Sequence, residues 1–518
     1  MAIKTYTIEE LVAEVQPSKS RFSKLDSDRS AVLDRARECS KLTLPSVVTD
    51  SGHSESDELD TPYQAVGARL VHNLASKLLL ALLPPNTSFF QLLVDEEVVA
   101  QASEQQEGAK DEIEKQLVLI EQDMMKQTER EALRIPIYEA VKGLIVGGNG
   151  FLYKTEKGMK SYRLADYVVS RDFSGNPVEM ICTESVTKAT LPKDILDQLA
   201  ESDEIAEGEK VTIYIRAIKR NGVWYEYQEV EDVFVEGSGV IYQDEAKLPL
   251  IPLRWTSING ENYGRGLVEQ YLGDFRSLEG LYQLLLEASS VMAKIVFGKR
   301  PGTTLDIDDL NNADNGEVIL GDLENDITTH RVDKGNDLAV PQQMVQDLIR
   351  RLEQAFLVAS SAARDSERTT ATEIRYMAAD LEKSLGGVYS ILSLELQRPL
   401  AYLLLATSKV DIKALGIELI IVTGVEALGR NAELDKIRQF NSLIQELGSP
   451  EIVLSRMDVG VYISKIANSL SLDVSDLIKS EETLQQEQQA QQQQQLLAQG
   501  AGNMVDGATK PQNPQQQQ

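Results

Sequence analysis

Three histidines, His53, His72 and His330, stand far apart in a chain of 518 residues. A multi-histidine metal centre or a histidine-based triad would need all three to converge, so neither is expected. A P-loop needs glycine five positions before its Gly-Lys pair and Ser or Thr after it. Gly298 and Lys299 have Ala293 and Arg300 there. Gly264 and Gly266 lack the third glycine of a dinucleotide fingerprint, because Glu269 occupies that place, and they read as a helix start. The acidic stretch LDIDDLNNADNGE at 305–317 is a poor calcium loop: with Gly316 at the sixth position, Asn311 stands first and Ala313 third. It reads as a solvated loop. Asp and Glu are plentiful, so counting leaves carboxylate chemistry open, but no pair is marked out for it; no cofactor and no metal are expected. Cys39 and Cys182 are too few for a disulfide framework and read as buried thiols.

One further cluster has chemical character. Arg364, Asp365, Ser366, Glu367 and Arg368 crowd both charge signs into five positions whose charges sum to zero. Thr370–Glu373 after them has the form of a capping box, so the run is a break between two helices. A charged connection of this kind is commonly a solvated link. The formal net charge of −29 opposes any wrapping of nucleic acid on a basic surface, since such binding depends on neutralising phosphates. RAIKR at 216–220 adjoins a turn and reads as a solvated strand end. The opening MAIKTYTIEE lacks a basic and then apolar leader. LASKLLLALLPP at 74–85 carries Lys77 and stops well short of the roughly 20 residues that span a bilayer, so it reads as a buried helix.

Residues 1–150 show helical spacing around Ala65–Leu83 and Ile113–Met125, with Thr61 as the expected N-cap and Pro62 at the first helical position. VGGNG at 146–150 turns the chain, and from Phe151 to about Leu253 the apolar period becomes two. One hairpin turns at Ser174, Gly175 and Asn176 and another at Asn221-Gly222, with an acidic helix and loop between them at 194–210. From Gly266 to Ile295 the spacing of Leu267, Tyr271, Phe275, Leu278, Leu281, Leu285, Ala288, Met292 and Ile295 predicts one rod of roughly 45 Å. Short strands in GEVIL and DITTHRV follow, then a helix from Pro341 with Val345, Leu348, Leu352, Phe356 and Ala359 on one face. The helix after the capping box carries Ile374, Met377, Leu381, Leu385, Val388, Leu392 and Leu396. Gly386 and Gly387 suggest close packing or a bend there, and Pro399 a second kink. ELIIV at 418–422 reads as a strand, 432–482 as helices, and the Gln-rich end as unable to build a core.

The order of these elements resembles the portal, or head-to-tail connector, family of short-tailed double-stranded DNA bacteriophages, in its autographivirus-type branch. The phrases TPYQAVGARLVHNLASKLLLAL, YGRGLVEQYLGDFRSLEGL, TATEIRYMAADLEKSLGGVYSILSLELQRPL and TGVEALGRNAELDKI carry the likeness. It implies an α+β, mainly helical fold assembling as a dodecameric ring around an axial channel. The implied regions are wing 1–262, first stem helix 263–293, clip 294–340, second stem helix 341–362, tunnel loop 363–371, wing 372–427, crown 428–483 and a Gln-rich tail 484–518. The resemblance further implies Arg364, Asp365, Ser366, Glu367 and Arg368 at the narrowest part of the channel, with Asp306, Asp308, Asp309 and Asp314 in the clip facing a terminase motor or tail adaptor proteins. Major capsid and scaffolding proteins, and double-stranded DNA passing without sequence preference, complete the implied partners. The implied location is the head-tail vertex of the virion, after assembly in the bacterial cytoplasm. The rival readings are a terminase-like enzyme, which the missing P-loop opposes, and a tail adaptor or scaffold without a channel.

Overall fold

The computed structural model describes residues 6–50, 56–84, 88–94, 109–155, 157–188, 191, 195–196, 210–293, 296–302, 306–314, 318, 322–330, 338–358, 383–407 and 417–421. The chain divides into two units, Met1–Ala427 and Leu428–Gln518, and every described residue lies in the first. The expected crown helices, the Gln-rich end, the capping box at Thr370–Glu373 and nearly all of 194–210 therefore lie outside the described residues.

Helices α1 (Ile8–Glu14), α2 (Ser18–Asp28), α3 (Ser30–Lys41) and α4 (Val66–Leu82) come first. Thr7 starts α1 with a capping box, its hydroxyl accepting from the Glu10 N–H while the Glu10 carboxylate accepts from the Thr7 N–H. In α4, Leu70, Val71, Leu74, Ala75, Leu78 and Leu82 recur at three- and four-residue steps and are fully buried. Its start differs from the expectation. Thr61 is not the cap: the helix begins at Val66, and the Gln64 side chain accepts from the Gly67 N–H at 2.8 Å. The Tyr63 and Gln64 N–H groups turn instead to the distant carboxylate of Glu279, a partner that local spacing cannot reveal. Strand β1 (Phe90–Val94) and helices α5 (Ala109–Arg130) and α6 (Arg134–Gly147) complete the helical module.

The alternating segment forms β2 (Asn149–Thr155), β3 (Gly158–Tyr162), β4 (Tyr167–Arg171), β5 (Pro177–Thr187), β6 (Lys210–Arg220), β7 (Val223–Val230), β8 (Val233–Phe234), β9 (Val240–Tyr242) and β10 (Leu250–Arg254). One sheet runs β4-β5-β6-β7-β8, with β9 also on β7, and a second runs β10-β2-β3. Asn221 and Gly222 both have positive φ, 54° and 83°, as a two-residue hairpin turn requires. Arg216 is not a solvated strand end. It is buried, donating from Nε to Glu179 at 3.0 Å and from Nη1 to the Gln16 carbonyl at 2.6 Å, while Arg21 reaches the other Glu179 oxygen. Across the two sheets, the Tyr153 and Tyr242 hydroxyls donate to opposite oxygens of buried Glu226, whose carboxyl burial pushes upward against those two hydrogen bonds.

Two glycine phrases lock the β-segment to the helix that succeeds it. Gly148 has φ +76°, and a Cβ there would lie 2.4 Å from the Gly266 nitrogen. The Asn149 side chain then donates to the Gly147 and Gly264 carbonyls and accepts from the Gly264 N–H. VGGNG and YGRG are thus two faces of one tight crossing. Gly266 caps α7 (Leu267–Gln270), as the helix-start reading of that phrase expects.

Cys39 and Cys182 are free buried thiols, as the sequence suggests, and burial pushes Cys39 up to about 12. Among the described residues, no helix is long and apolar enough to cross a membrane.

Candidate functional site: an antiparallel helix pair and its connections

The expected rod is interrupted. The chain leaves α7 at Tyr271, whose φ of −110° is not helical, and restarts as α8 (Leu272–Ala293), roughly 33 Å long. β11 (Val296–Lys299), α9 (Ile307–Asn312), α10 (Leu323–Asp326) and β12 (Ile327–His330) lead into α11 (Ala339–Ala355). β11 pairs antiparallel with β12, Gly298 opposite Thr328, so the two long helices also run antiparallel. The start of α8 meets the end of α11: Phe275 and Phe356 pack edge to face at 5.8 Å, and Arg351 reaches Asp274 at 3.0 Å. Val345, Leu348, Leu352 and Phe356 are buried, the face read from the sequence.

Burial fades toward the β11–β12 end. Phe275 and Leu278 are fully covered, whereas Leu284, Leu286 and Val291 on α8 and Val340 and Met344 on α11 are about half exposed or more. Solvent-facing apolar residues on both members of one helix pair form a surface that the described residues do not cover.

The acidic stretch read as a solvated loop contains a short helix instead. Asp306 caps α9, accepting from the Asp308 N–H at 3.0 Å, and Asp308 and Asp309 lie in its first turn, with Asp314 two residues beyond its end. Asp306, Asp308 and Asp314 are exposed. Asp322 caps α10 in the same manner, and the Asn325 amide and N–H hold its carboxyl below the usual range. Arg364, Asp365, Ser366, Glu367 and Arg368 lie outside the described residues.

After that stretch, residues 383–407 form α12, in which Ser393–Gln397 is a π-turn two residues ahead of Pro399. Proline has no N–H for the carbonyl four residues back, and a widened turn is one way for a helix to accommodate this. Among the described residues Gly386 and Gly387 do not serve close packing, since a Cβ on either would meet none of them within 4 Å. Leu385, Val388, Leu392 and Leu396 keep their apolar stripe on the core.

Sequence reading missed Glu395, which projects from the π-turn. It accepts from the Arg254 backbone N–H at 2.8 Å and from Nε at 2.9 Å and Nη2 at 2.5 Å of the same residue, and lies 4.0 Å from Arg171. The Arg171 guanidinium donates to the carbonyls of Asn262, Gly175 and Pro252. Desolvation lowers its pKa to about 10. A glutamate inside the stripe Leu392–Leu396 was the available signal.

A model of the family described as bacteriophage head to tail connecting protein matches residues 16–478. The portal protein of Enterobacteria phage T3 is 36% identical, covering 90% of this chain and 89% of its own length. That of Escherichia phage T7 is 35% identical over 95% and 93%, and that of Enterobacteria phage SP6 33% identical over 90% of each. Among solved structures, the neck of an empty gene transfer agent particle computed with C6 symmetry is 14% identical, with a TM-score of 0.35, covering 72% of this chain and 86% of that one. With a family model spanning most of the sequence and relatives above 30% identity along nearly all of it, the chain belongs to the bacteriophage head-to-tail connecting protein family.

Proposed function

We propose that this protein is the portal of a short-tailed double-stranded DNA phage, a dodecameric ring around the channel through which the genome enters the head and later leaves it. The observation that carries the reading is its similarity along 90% of its length to portal proteins of such phages. The helix pair adds physical support. Apolar residues left half exposed on α8 and α11 would be covered by copies arranged head to tail, and such heterologous contacts close into a ring. In this role the protein is structural. The motor chemistry belongs to a terminase that docks on the clip, and tail adaptors take that place after packaging. The wing, stem, clip, tunnel-loop and crown boundaries read from the sequence are part of the proposal, as are the capsid and scaffolding contacts. An acidic protein suits a channel that DNA must slide through without being held.

Imaging of the purified protein tests the ring: a closed assembly with an open axial hole is expected. A monomer at micromolar concentration across a range of salt, or a solid or filamentous assembly, would sink the reading and favour an adaptor or scaffold.

Arg364, Asp365, Ser366, Glu367 and Arg368 are proposed to line the narrowest part of the channel. The arginines touch passing phosphates without sequence preference, and the neighbouring acids weaken each contact. Substituting Arg364 and Arg368 together with alanine is expected to leave ring formation normal and to change packaged genome length or infectivity. Failure of ring assembly would show that the arginines bridge subunits. Unchanged behaviour in all three assays would return the stretch to a solvated link.

A further inference from the structure

Two oddities meet at the end of α11. Lys77 is 7% exposed in the midst of the apolar face of α4, and its ammonium donates to the carbonyl of Leu357. Leu357 itself has φ +58°, a conformation that a bulky residue rarely adopts. Nothing in the local sequence ends the helix here, because Phe356-Leu357-Val358 and the five residues after them contain neither glycine nor proline. The chain nevertheless leaves α11, with the Leu357 N–H donating to the Gln354 carbonyl and the Val358 N–H to that of Glu353. That is the bonding of a left-handed helix stop, usually built on glycine. A buried cation at the negative end of the helix dipole favours it.

The returning chain reaches the same helix. Tyr389 in α12 donates from its hydroxyl to the Ala81 carbonyl at 3.0 Å, and buried Gln397 donates from Nε2 to the Leu82 carbonyl at 2.8 Å. These are carbonyls at the end of α4, where intrahelical donors run out.

We propose that α4 is a clasp for both ends of the stretch 359–382: Lys77 fixes where the chain departs from α11, and the Ala81 and Leu82 carbonyls fix where it returns in α12. Lys77, Tyr389 and Gln397 are positioning residues that act on this stretch from outside it. Among the described residues, the flanks of this stretch are thus tied to a helix some 280 residues before Leu357. That this matters for DNA rests on the portal reading above; the clasp itself does not.

Hydrogen exchange on the purified full-length protein tests it. K77M keeps an apolar helix former in the core and removes the ammonium. It is expected to speed exchange of the amides at 353–358 by about tenfold, and K77R to restore it, as loss of the charged hydrogen bond to the Leu357 carbonyl implies. Glycine adopts the left-handed conformation without Lys77, so in the L357G background the effect of K77M should shrink to less than about threefold. Equal effects of K77M in both backgrounds would reduce Lys77 to packing and overturn the departing half. Y389F with Q397M is expected to speed exchange at 383–392 by about tenfold, with 353–358 unchanged; no change at 383–392 would overturn the returning half. In particles, K77M is expected to lower genome retention. A clasp verified by exchange but without that change would count against the DNA role and leave the clasp standing.

Discussion

Replacing Glu395 with alanine is expected to lower stability by about 3–5 kcal/mol, because it strands buried cations without their counter-charge. The carboxylate receives three donors from Arg254 and sits beside Arg171, and the two guanidinium groups are 9% and 4% exposed. Neither can recover water without unpacking strand β10 from the π-turn. The Arg254 backbone N–H would also lose its acceptor. Glutamine should cost less than alanine, since its carbonyl oxygen still accepts one of these donors. Denaturant midpoints of the two variants against the parent would measure this. If the assembled protein unfolds irreversibly, inactivation half-lives at a fixed temperature serve instead. A loss below about 1 kcal/mol for E395A would place the pair among weak surface-type bridges and remove Glu395 as the pin between α12 and the sheet.

Deleting residues 305–316 is expected to abolish DNA packaging completely while leaving rings intact. In this region α9 is held by its own Asp306 cap and by the bond from the Asn312 amide to the Asp308 carbonyl, and Asp306, Asp308 and Asp314 face solvent. The β11–β12 ladder is held separately by its own pairing and by the Arg300 N–H on the Asp326 carbonyl at 3.0 Å. The acidic segment can therefore be removed without cutting the helix pair. A terminase docked by these carboxylates would lose its contact, and packaged genomes should fall to background. Normal packaging by the deletion would refute the clip assignment; loss of rings would show that the segment joins subunits.

Much of the secondary structure was legible because it is set by local chemistry. The period of α4, the Asn221-Gly222 turn, the alternation through β4 to β7 and the buried face of α11 each follow from residues within one or two turns of each other. Errors arose where a distant group supplied what the local sequence lacked. Thr61 has the form of a cap, but Glu279 takes the neighbouring N–H groups and the helix starts later. Arg216 opens a basic phrase that runs to a turn, yet it lies within β6 and Glu179 draws it inside. The rod broke at Tyr271, where the ring packs against Phe356 of the returning helix. Asp306, Asp308 and Asp309 were grouped only by the family resemblance, and the short helix that holds them was read as a loop; no spacing rule could bring Glu395 to Arg254 across 141 positions.

The sequence by itself determined membership of the family, most of the succession of helical and β segments among the described residues, the buried character of both cysteines and the lack of a P-loop at its Gly-Lys pair. All of these are carried by residue order and composition. Only the tertiary structure decided which polar side chains are buried and what they hold: Lys77 on Leu357, Tyr389 and Gln397 on the end of α4, and one glutamate shared by two arginines. The physical reason is that burying a polar group is unfavourable until a partner meets it. Such partners lie anywhere in the chain, so neither their identity nor their effect is written in the residues around them.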